Sequence, residues 1–188
     1  MLYQFKIKLN GITHPPVWRR VLVPSTFTFH KFHAVIQAAF GWEDYHLYEF
    51  KDKEYDSAFS IGIPMEEDSW FAEKRIDARK NKLSQVFGTM KKIVYIYDFG
   101  DDWVHEVVLE GISPQKGTKA VCLAGKGACP PEDCGGIFGY IDIKEAFEKD
   151  PKGEEANEYR EWLNLDDDED WDPKRFDIKW TNDALVKI

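Results

Sequence analysis

The chain has 188 residues, 43% of them hydrophobic, and a formal net charge of −9, a composition typical of a globular rather than a disordered protein. A domain of this length buries about 70% of its unfolded surface, so the fold needs no disulfide or metal to hold it together. No apolar run of about 18 residues occurs and no cationic start precedes an apolar block, which argues against membrane insertion and secretion.

Two segments near the N-terminus alternate apolar and polar side chains, as half-buried strands do. They are residues 3–9 and Val17–Val23, and the Pro15–Pro16 region between them predicts a hairpin or paired strands. Arg19 and Arg20 then point to opposite faces. If both faces are covered, one guanidinium lies in apolar surroundings, where we expect it to have a carboxylate partner.

Phe29–Phe40 is predicted to be a helix, because its apolar side chains recur at helical spacing on one face. Thr28 is the expected N-cap and Gly41 the C-terminal stop. His30 and His33 lie three residues apart on this helix, a spacing that suits metal ligands. No further ligand lies in register, so we favour one solvated and one packed imidazole.

The middle of the chain predicts two hairpins. His46–Lys51 and Glu54–Phe59 flank a two-residue turn, and Lys92–Asp98 and Trp103–Glu110 flank the sequence FGDD. Residues 60–90 between the hairpins are expected to be a loop with a short helix.

Pairing across a tight FGDD turn predicts which side chains share a face of the sheet. Asp98 should lie opposite Trp103, and Ile96 opposite His105. One face would then carry Asp98, Trp103, His105, Val107 and Leu109. The other face would carry Tyr95, Tyr97, Glu106 and Val108.

The C-terminal half predicts a long loop, two helices and an acidic segment. Ser113–Gly139 is rich in Gly, Pro and Cys and is longer than an ordinary connection, which is typical of functional loops. Helices are predicted near Ile141–Lys149 and Glu154–Leu163, and Phe176–Val186 returns to the body. Residues 142–172 hold fourteen Asp and Glu against four Lys and Arg, a net charge of −10.

These elements predict the α+β class. We expect a single domain over residues 1–188, with a mainly antiparallel mixed sheet and helices packed on one face. Residues 142–172 are expected to form an acidic helical and loop segment of that domain.

Several motifs along the chain resemble one known family. They are VWRRVLVP, a helix ending in AAFGW, the HLYEF strand, YDFGDDWVHEVVLE and PPEDCGGIFGY. In this combination, which covers nearly the whole chain, the sequence resembles the plasmid pRiA4b ORF-three-like family. The resemblance implies a single α+β domain found in bacteria and archaea, in some members on plasmids or beside insertion elements. It implies no activity, and it carries over no catalytic residue.

The segments Tyr97–His105 and Pro130–Tyr140 concentrate the candidate functional residues. Carboxylates from both, brought together, would bind magnesium or manganese and activate water, with His105 assisting. The competing interpretation is structural: turn residues, carboxylates that pair with arginines or cap backbone amides, and a packed core histidine. The candidate cluster comprises Asp98, Asp101, Asp102, His105, Glu132, Asp133 and Tyr140.

Cys122, Cys129 and Cys134 are an odd number of cysteines, which makes a poor disulfide framework and is typical of a reducing compartment. We therefore expect a cytoplasmic protein. The three thiols are candidate zinc ligands, with His105 or a carboxylate as the fourth, although no CxxC pair is present. Free packed thiols are favoured, and a redox pair or a nucleophilic Cys129 or Cys134 are further alternatives.

The basic segment Lys74–Lys92 carries seven Lys and Arg side chains against the single acid Asp77. Clustered cations bind phosphates, and exposed aromatic rings such as Tyr95 and Tyr97 would stack on bases. No recognition helix or zinc finger accompanies the segment, so a solvated basic loop is the favoured interpretation. A nucleic-acid partner stays open.

Taken together, the sequence favours a non-enzymatic binding or accessory protein with a protein or nucleic-acid partner and no membrane association. The acidic segment supports this interpretation, because it would dock a basic partner. The alternative is a metal-dependent enzyme that uses the acidic hairpin turn and the PPEDCGG loop.

Overall fold

The computed structural model describes residues 1–65, 75–166, 169 and 171–188. Eight strands form one mixed, mostly antiparallel sheet in the spatial order β5-β4-β3-β6-β7-β1-β2-β8. The strands are β1 (Leu2–Thr13), β2 (Pro16–Pro24), β3 (Tyr48–Lys51), β4 (Ser60–Gly62), β5 (Ile76–Asp77), β6 (Lys92–Tyr97), β7 (Trp103–Ser113) and β8 (Val121–Lys126). The helices are α1 (Phe29–Phe40), α2 (Leu83–Val86), α3 (Gly136–Lys149), α4 (Glu154–Trp162) and α5 (Ile178–Leu185). The protein is therefore of the predicted α+β class.

The hydrophobic core lies between one face of the sheet and helix α1. Central strand β1 alternates as expected, and its inward Phe5 and Ile7 are completely buried. The ring of Phe5 meets that of Phe32 on α1 at a centroid distance of 4.8 Å. Burying each such side chain stabilises the fold by about 1.5 to 3 kcal/mol. Polar side chains such as Lys6 and Arg20 occupy the opposite face, so the helices pack on one face.

Helix α1 has the predicted bounds. The Thr28 hydroxyl accepts a hydrogen bond from the backbone N–H of Lys31 at 3.2 Å, as an N-cap does. Gly41 ends the helix in the left-handed region at a φ of 110°, and its N–H donates to the carbonyl of Gln37. Local signals alone therefore define this element.

The two histidines of α1 confirm the prediction of one solvated and one packed imidazole. His30 is exposed and contacts the Tyr48 hydroxyl through Nδ1 at 2.9 Å. His33 is buried, with Nδ1 2.8 Å from the Tyr95 hydroxyl and Nε2 2.6 Å from Oδ1 of Asp44. Both imidazoles thus hold the helix to neighbouring elements.

The β6–β7 hairpin is confirmed, but its predicted register is wrong by one residue. Tyr97 pairs with Trp103, and Tyr95 pairs with His105. Residues paired across antiparallel strands share a face, so both tyrosines face the core beside Trp103 and His105. All four side chains are buried.

The register error follows from the turn, which has five residues rather than four. Strand β6 ends at Tyr97 and β7 begins at Trp103. Asp98 and Asp102 both adopt a φ of 55°, and the N–H of Asp102 donates to the carbonyl of Asp98 at 2.7 Å. Aspartate tolerates this left-handed conformation better than most residues, so the acidic sequence suits the longer turn.

Two further strand predictions are wrong. Glu54–Phe59 is not a strand, because the partner of β3 is β4, with Phe50 opposite Ile61. Ser113–Gly139 is not all loop, because β8 pairs with β2 within it. The sequence of β8, VCLAGK, has one β-branched residue, so its strand character depends on pairing with a distant segment.

Arg19 and Arg20 point to opposite faces as predicted, but the buried arginine is not the one that has a carboxylate partner. Arg20 forms a bidentate pair with Glu110, at 2.6 Å from Nε and 2.9 Å from Nη2. Arg19 is buried, and within the described part of the chain no carboxylate lies within ion-pair distance of it. The prediction of a carboxylate partner for the buried arginine is therefore wrong.

The predicted C-terminal helices are present as α3 and α4, although α3 begins five residues earlier than expected, at Gly136. Part of the acidic run, at positions 167, 168 and 170, lies outside the described residues, as does Lys74 of the basic segment. Among the residues that are described, no helix has both the length and the apolar character needed to cross a membrane.

Candidate functional site

Three loops meet at one end of strands β3, β6 and β7. They are the α1–β3 loop, the β6–β7 turn and the PPEDCGG loop (Pro130–Gly136). The N–H of Asp98 donates to the Leu47 carbonyl at 2.9 Å, which continues the β3–β6 pairing. The N–H of Gly135 donates to Oδ2 of Asp101 at 3.1 Å. The two motifs that the sequence singled out are thus in direct contact.

Glu132 fastens the PPEDCGG loop to the other two loops. Its Oε1 accepts hydrogen bonds from the Tyr97 hydroxyl at 2.9 Å and from the N–H of Glu43 at 2.8 Å. The Tyr97 oxygen in turn accepts from the N–H of Tyr45 at 3.2 Å. Oε2 of Glu132 is buried and has no hydrogen-bond partner among the described residues.

His46, Asp98 and Asp133 converge where the three loops meet. Nε2 of His46 lies 3.1 Å from Oδ1 of Asp133 and 3.7 Å from Oδ2 of Asp98. One ligand atom from each residue lies within 4.8 Å of the other two. In the described part of the chain, no other group of three or more His, Cys, Asp or Glu side chains is close enough to share an ion.

The contact between His46 and Asp133 is not a hydrogen bond. Nε2 is buried and has no hydrogen-bond partner in the residues that the structure describes, although the carboxylate is near. The two atoms are therefore close without the geometry of a hydrogen bond. Ligand atoms that share an ion lie close to one another in this way, because each points at the ion rather than at the other ligand.

The three residues differ in exposure. The Asp98 side chain is 10% exposed, that of His46 28% and that of Asp133 67%, so the group opens to solvent on the Asp133 side. Oδ1 of Asp98 accepts a hydrogen bond from the N–H of Gly100 at 2.9 Å. Its Oδ2 accepts none from any described residue and faces His46.

Asp101 and Asp102, from the same turn, do not join this group. Asp101 fastens the PPEDCGG loop through Gly135. Asp102 lines a separate cavity of about 250 Å³ together with Glu54. Burial, followed by the charge of Glu54, raises the pKa of the Asp102 carboxyl above its ordinary value.

His105 and Tyr140 also lie apart from the group, inside the core. Nδ1 of His105 is 3.3 Å from the Tyr95 carbonyl, and burial lowers the pKa of His105 to about 3, so the imidazole is neutral. Tyr140 packs edge-on against Trp171 at a centroid distance of 5.4 Å. His105 is thus the packed core histidine of the structural interpretation.

The three cysteine thiols are free and do not converge on a shared site within the described residues. Sγ of Cys122 lies 3.5 Å from the Ala124 carbonyl, and Sγ of Cys134 lies 3.8 Å from the Gly136 carbonyl. Burial raises the pKa of Cys134 to about 12 and raises that of Cys129 well above its ordinary value. Protonated, buried thiols are poor nucleophiles.

Two observations on the described residues weaken the nucleic-acid interpretation of the basic segment. Tyr95 and Tyr97 are buried in the core and are not available for base stacking. Nε of Arg79 pairs with Asp77 at 2.9 Å, and Lys92 pairs with Glu106 on the next strand. Several cations of the segment are therefore already partnered.

Sequence reasoning missed His46, which belongs to neither of the two motifs. Tyr48 pairs with Tyr97, so the residues just before β3 lie beside those just after β6. A pairing between strands more than forty residues apart is not visible as a local pattern. The available signal was a histidine at the start of a predicted strand, and this signal does not indicate which residues lie beside it.

The chain belongs to the family described as Plasmid pRiA4b ORF-3-like protein, which matches residues 1–180. It is similar to a protein of Sinorhizobium fredii called Uncharacterized protein y4hQ, with 39% identity over 167 residues, 87% of this chain and 81% of the relative. It is also similar to the crystal structure of Protein of Unknown Function MM3350 from Methanosarcina mazei Go1. That likeness has 39% identity and a TM-score of 0.79, and it covers 95% of this chain and 96% of that one.

Proposed function

We propose that this protein binds a divalent metal ion through His46, Asp98 and Asp133. The observation that carries the proposal is the convergence of one imidazole nitrogen and two carboxylate oxygens, with Nε2 of His46 buried and free of hydrogen bonds to any described residue. With metal–ligand bonds of about 2.1 Å, neighbouring ligand atoms lie roughly 3 to 3.4 Å apart. The 3.1 and 3.7 Å separations are close to this spacing.

The charge of the group also suits a divalent cation. Because ligands bind an ion in their deprotonated forms, two carboxylates and one imidazole would supply it with two negative charges, and Asp98 is nearly buried. No lysine or arginine among the described residues forms an ion pair with Asp98 or Asp133. A buried carboxylate that lacks a cation is costly, so an ion at this position would relieve the repulsion between Asp98 and Asp133.

One nitrogen and two oxygen ligands favour manganese, iron or zinc over calcium. Three protein ligands leave at least one position for water or a substrate, and the group opens to solvent at Asp133. A bound ion with an open position would supply Lewis acidity there, polarising a substrate oxygen or activating water for hydrolysis.

Calorimetric titration of EDTA-treated protein with Mn²⁺, Zn²⁺ and Mg²⁺ tests the proposal. We expect one site for Mn²⁺ or Zn²⁺, and at least tenfold weaker binding in Asp133→Asn. Asp133 is exposed, so this change should leave the fold intact. The matched control is Asp142→Asn on α3, which removes an exposed aspartate elsewhere. Equal affinities in both variants, or no binding by the unmodified protein, would overturn the proposal.

A non-enzymatic binding role is the second candidate function. The observation that favours it is the exposure of Tyr45 and Leu47, two large apolar side chains that flank His46 in the sequence. Such side chains around a polar centre are typical of a surface that binds a protein partner. Metal-loaded protein that hydrolyses neither p-nitrophenyl acetate nor bis-p-nitrophenyl phosphate would favour this role over hydrolysis.

We also propose that residues 1–188 form a single domain. The continuous eight-stranded sheet supports this, because its centre pairs the N-terminal strand with β7. One cooperative unfolding transition, seen equally by tryptophan fluorescence and by circular dichroism, is the expected result. Two separate transitions would contradict it.

A further inference from the structure

Arg19 is a buried cation with no counter-ion in the described residues. It is 2% exposed, and its guanidinium lies between the rings of Phe40 and Phe176, at 4.9 and 4.5 Å from their centroids. Nε and Nη1 donate to three backbone carbonyl oxygens at 2.8 to 3.0 Å. Burial lowers the pKa of Arg19 from its ordinary value, as expected of a cation without a carboxylate partner.

The backbone opposite Arg19 makes room for this arrangement. Arg19 pairs with Gly125 on β8. A Cβ atom at Gly125 would lie 2.6 Å from the ring of Phe176 and 2.9 Å from Cδ of Arg19. Any larger residue would therefore push Phe176 off the guanidinium.

The remaining edge of the guanidinium borders a cavity. Nη2 of Arg19 has no hydrogen-bond acceptor among the described residues, and Arg19 lines a cavity of about 410 Å³. Trp171, Trp180 and Phe176 line the same cavity. Small-molecule sites of roughly 300 to 1,000 Å³ with mostly apolar walls and a few polar groups are common, and this cavity fits that description.

The other charged side chains of the cavity have partners of their own. Oδ1 of Asp177 caps α5 by accepting from two backbone N–H groups, at 2.8 and 2.9 Å. Asp172 accepts from the N–H of Lys174 at 2.8 Å, and Glu169 pairs with Arg175 at 3.4 Å. Each of these carboxylates accepts hydrogen bonds or pairs with Arg175, whereas Nη2 of Arg19 has no acceptor among the described residues.

We propose that this cavity binds a small aromatic carboxylate, with the carboxylate on the free edge of Arg19 and the ring against the tryptophan wall. Guanidinium and carboxylate form directional, charge-assisted hydrogen bonds, and the partner would supply the counter-ion that the described chain lacks. Aromatic rings stack on tryptophan, so the site would select for an aromatic ring as well as for a carboxylate. The site is separate from the proposed metal centre, and neither depends on the other.

Calorimetric titrations in EDTA, with 2-naphthoate, 2-naphthamide and acetate as probes, test this site. We expect 2-naphthoate to bind at least tenfold more tightly than its neutral amide, because only the acid neutralises Arg19. Acetate should bind at least tenfold more weakly than 2-naphthoate, because it lacks the ring. Equal affinities for the acid and the amide would overturn the proposal. So would the absence of detectable 2-naphthoate binding with protein and ligand each at about 1 mM.

Two exposed tryptophans provide a matched pair of variants. Trp180 lines the cavity and is 57% exposed, whereas Trp162 is 50% exposed and lines other cavities. Trp180→Ala should weaken 2-naphthoate binding at least fivefold, and Trp162→Ala should leave it unchanged. Arg19→Gln should abolish the preference for the acid over the amide, and its fold is checked by circular dichroism. If that variant does not fold, the two tryptophan variants still test the site. Equal losses of 2-naphthoate affinity in Trp180→Ala and Trp162→Ala would contradict it.

Discussion

Tyr97 donates its phenolic hydrogen to Oε1 of Glu132 at 2.9 Å and so joins the end of β6 to the PPEDCGG loop. The second connection between the two motifs is the hydrogen bond from Gly135 to Asp101. Together these contacts hold Asp133 beside Asp98 and His46. The arrangement of the candidate metal ligands is thus set by the protein's own hydrogen bonds.

Replacing Tyr97 by phenylalanine should cost about 1 to 2 kcal/mol of unfolding free energy, because it leaves the Glu132 carboxylate short of a donor. The matched control is Tyr140→Phe. Both tyrosines are fully buried, but the Tyr140 hydroxyl has no hydrogen-bond partner among the described residues. Urea denaturation should show Tyr140→Phe to be neutral or stabilising, and equal losses in the two variants would argue against this account.

Gly139→Ala should destabilise the protein by about 2 kcal/mol or more, whereas Gly111→Ala should not. A Cβ at Gly139 would lie 1.6 Å from the carbonyl oxygen of Cys134, at the junction of the PPEDCGG loop and α3. A Cβ at Gly111 would meet nothing within 4 Å. Thermal unfolding of both variants measures the difference, and a tolerated alanine at Gly139 would contradict the tight loop-to-helix junction.

Acid should destabilise the fold through His105. Its folded pKa of about 3 lies below the unfolded value of about 6.5, so the unfolded chain binds more protons between these pH values. Unfolding free energy therefore falls as pH is lowered through this window, by at most about 1.4 kcal/mol per pH unit for one histidine. Burial also lowers the pKa of His33, which adds a loss of the same sign.

Urea titrations at pH 7.5 and 5.0 measure this slope in His105→Phe. The unfolding free energy of the variant should depend less on pH, by up to the contribution of one histidine. This holds whatever the absolute stability of the variant. His14→Gln replaces an exposed histidine and should keep the full slope of the unmodified protein. A slope that does not change in His105→Phe would show that folding does not lower the pKa of His105.

The cysteines should react slowly in the native protein. Burial raises the pKa of all three thiols, Cys134 to about 12, so few thiolates are present at pH 7.5. Mass spectrometry after brief treatment with iodoacetamide should find little modification, and urea should expose all three to rapid labelling. Fast native labelling of Cys129 or Cys134 would restore the case for a nucleophile.

The elements that could be predicted from the sequence are those specified by neighbouring residues. Helix α1 is an example, since Thr28, the apolar spacing and Gly41 lie within one short segment. The β6–β7 register could not be predicted, because it depends on one additional turn residue. Because of that single residue, Tyr95 and Tyr97 lie in the core and not on the expected solvent face. They are therefore not available for base stacking.

The candidate site was half visible in the sequence. Asp98 and Asp133 stood out as chemistry-bearing residues in dense motifs, whereas His46 did not, because only the β3–β6 pairing places it beside Asp98. Arg19, which has no carboxylate partner in the described part of the chain, was equally hidden. Its alternation predicted a buried face, but the cavity beside it is formed by Trp171 and Phe176 from the far end of the chain.

Strand β1 lies near the centre of the sheet, and its two partners come from very different distances along the chain. β2 follows directly, but the pairs of β1 with β7, such as Leu2 with Ser113, join segments roughly a hundred residues apart. At about 5 to 20 residues per second, a ribosome needs about 5 to 20 seconds to make that stretch. During this interval one edge of β1 has no partner, so the yield of folded protein should depend on the speed of translation and on chaperones that cover open strand edges.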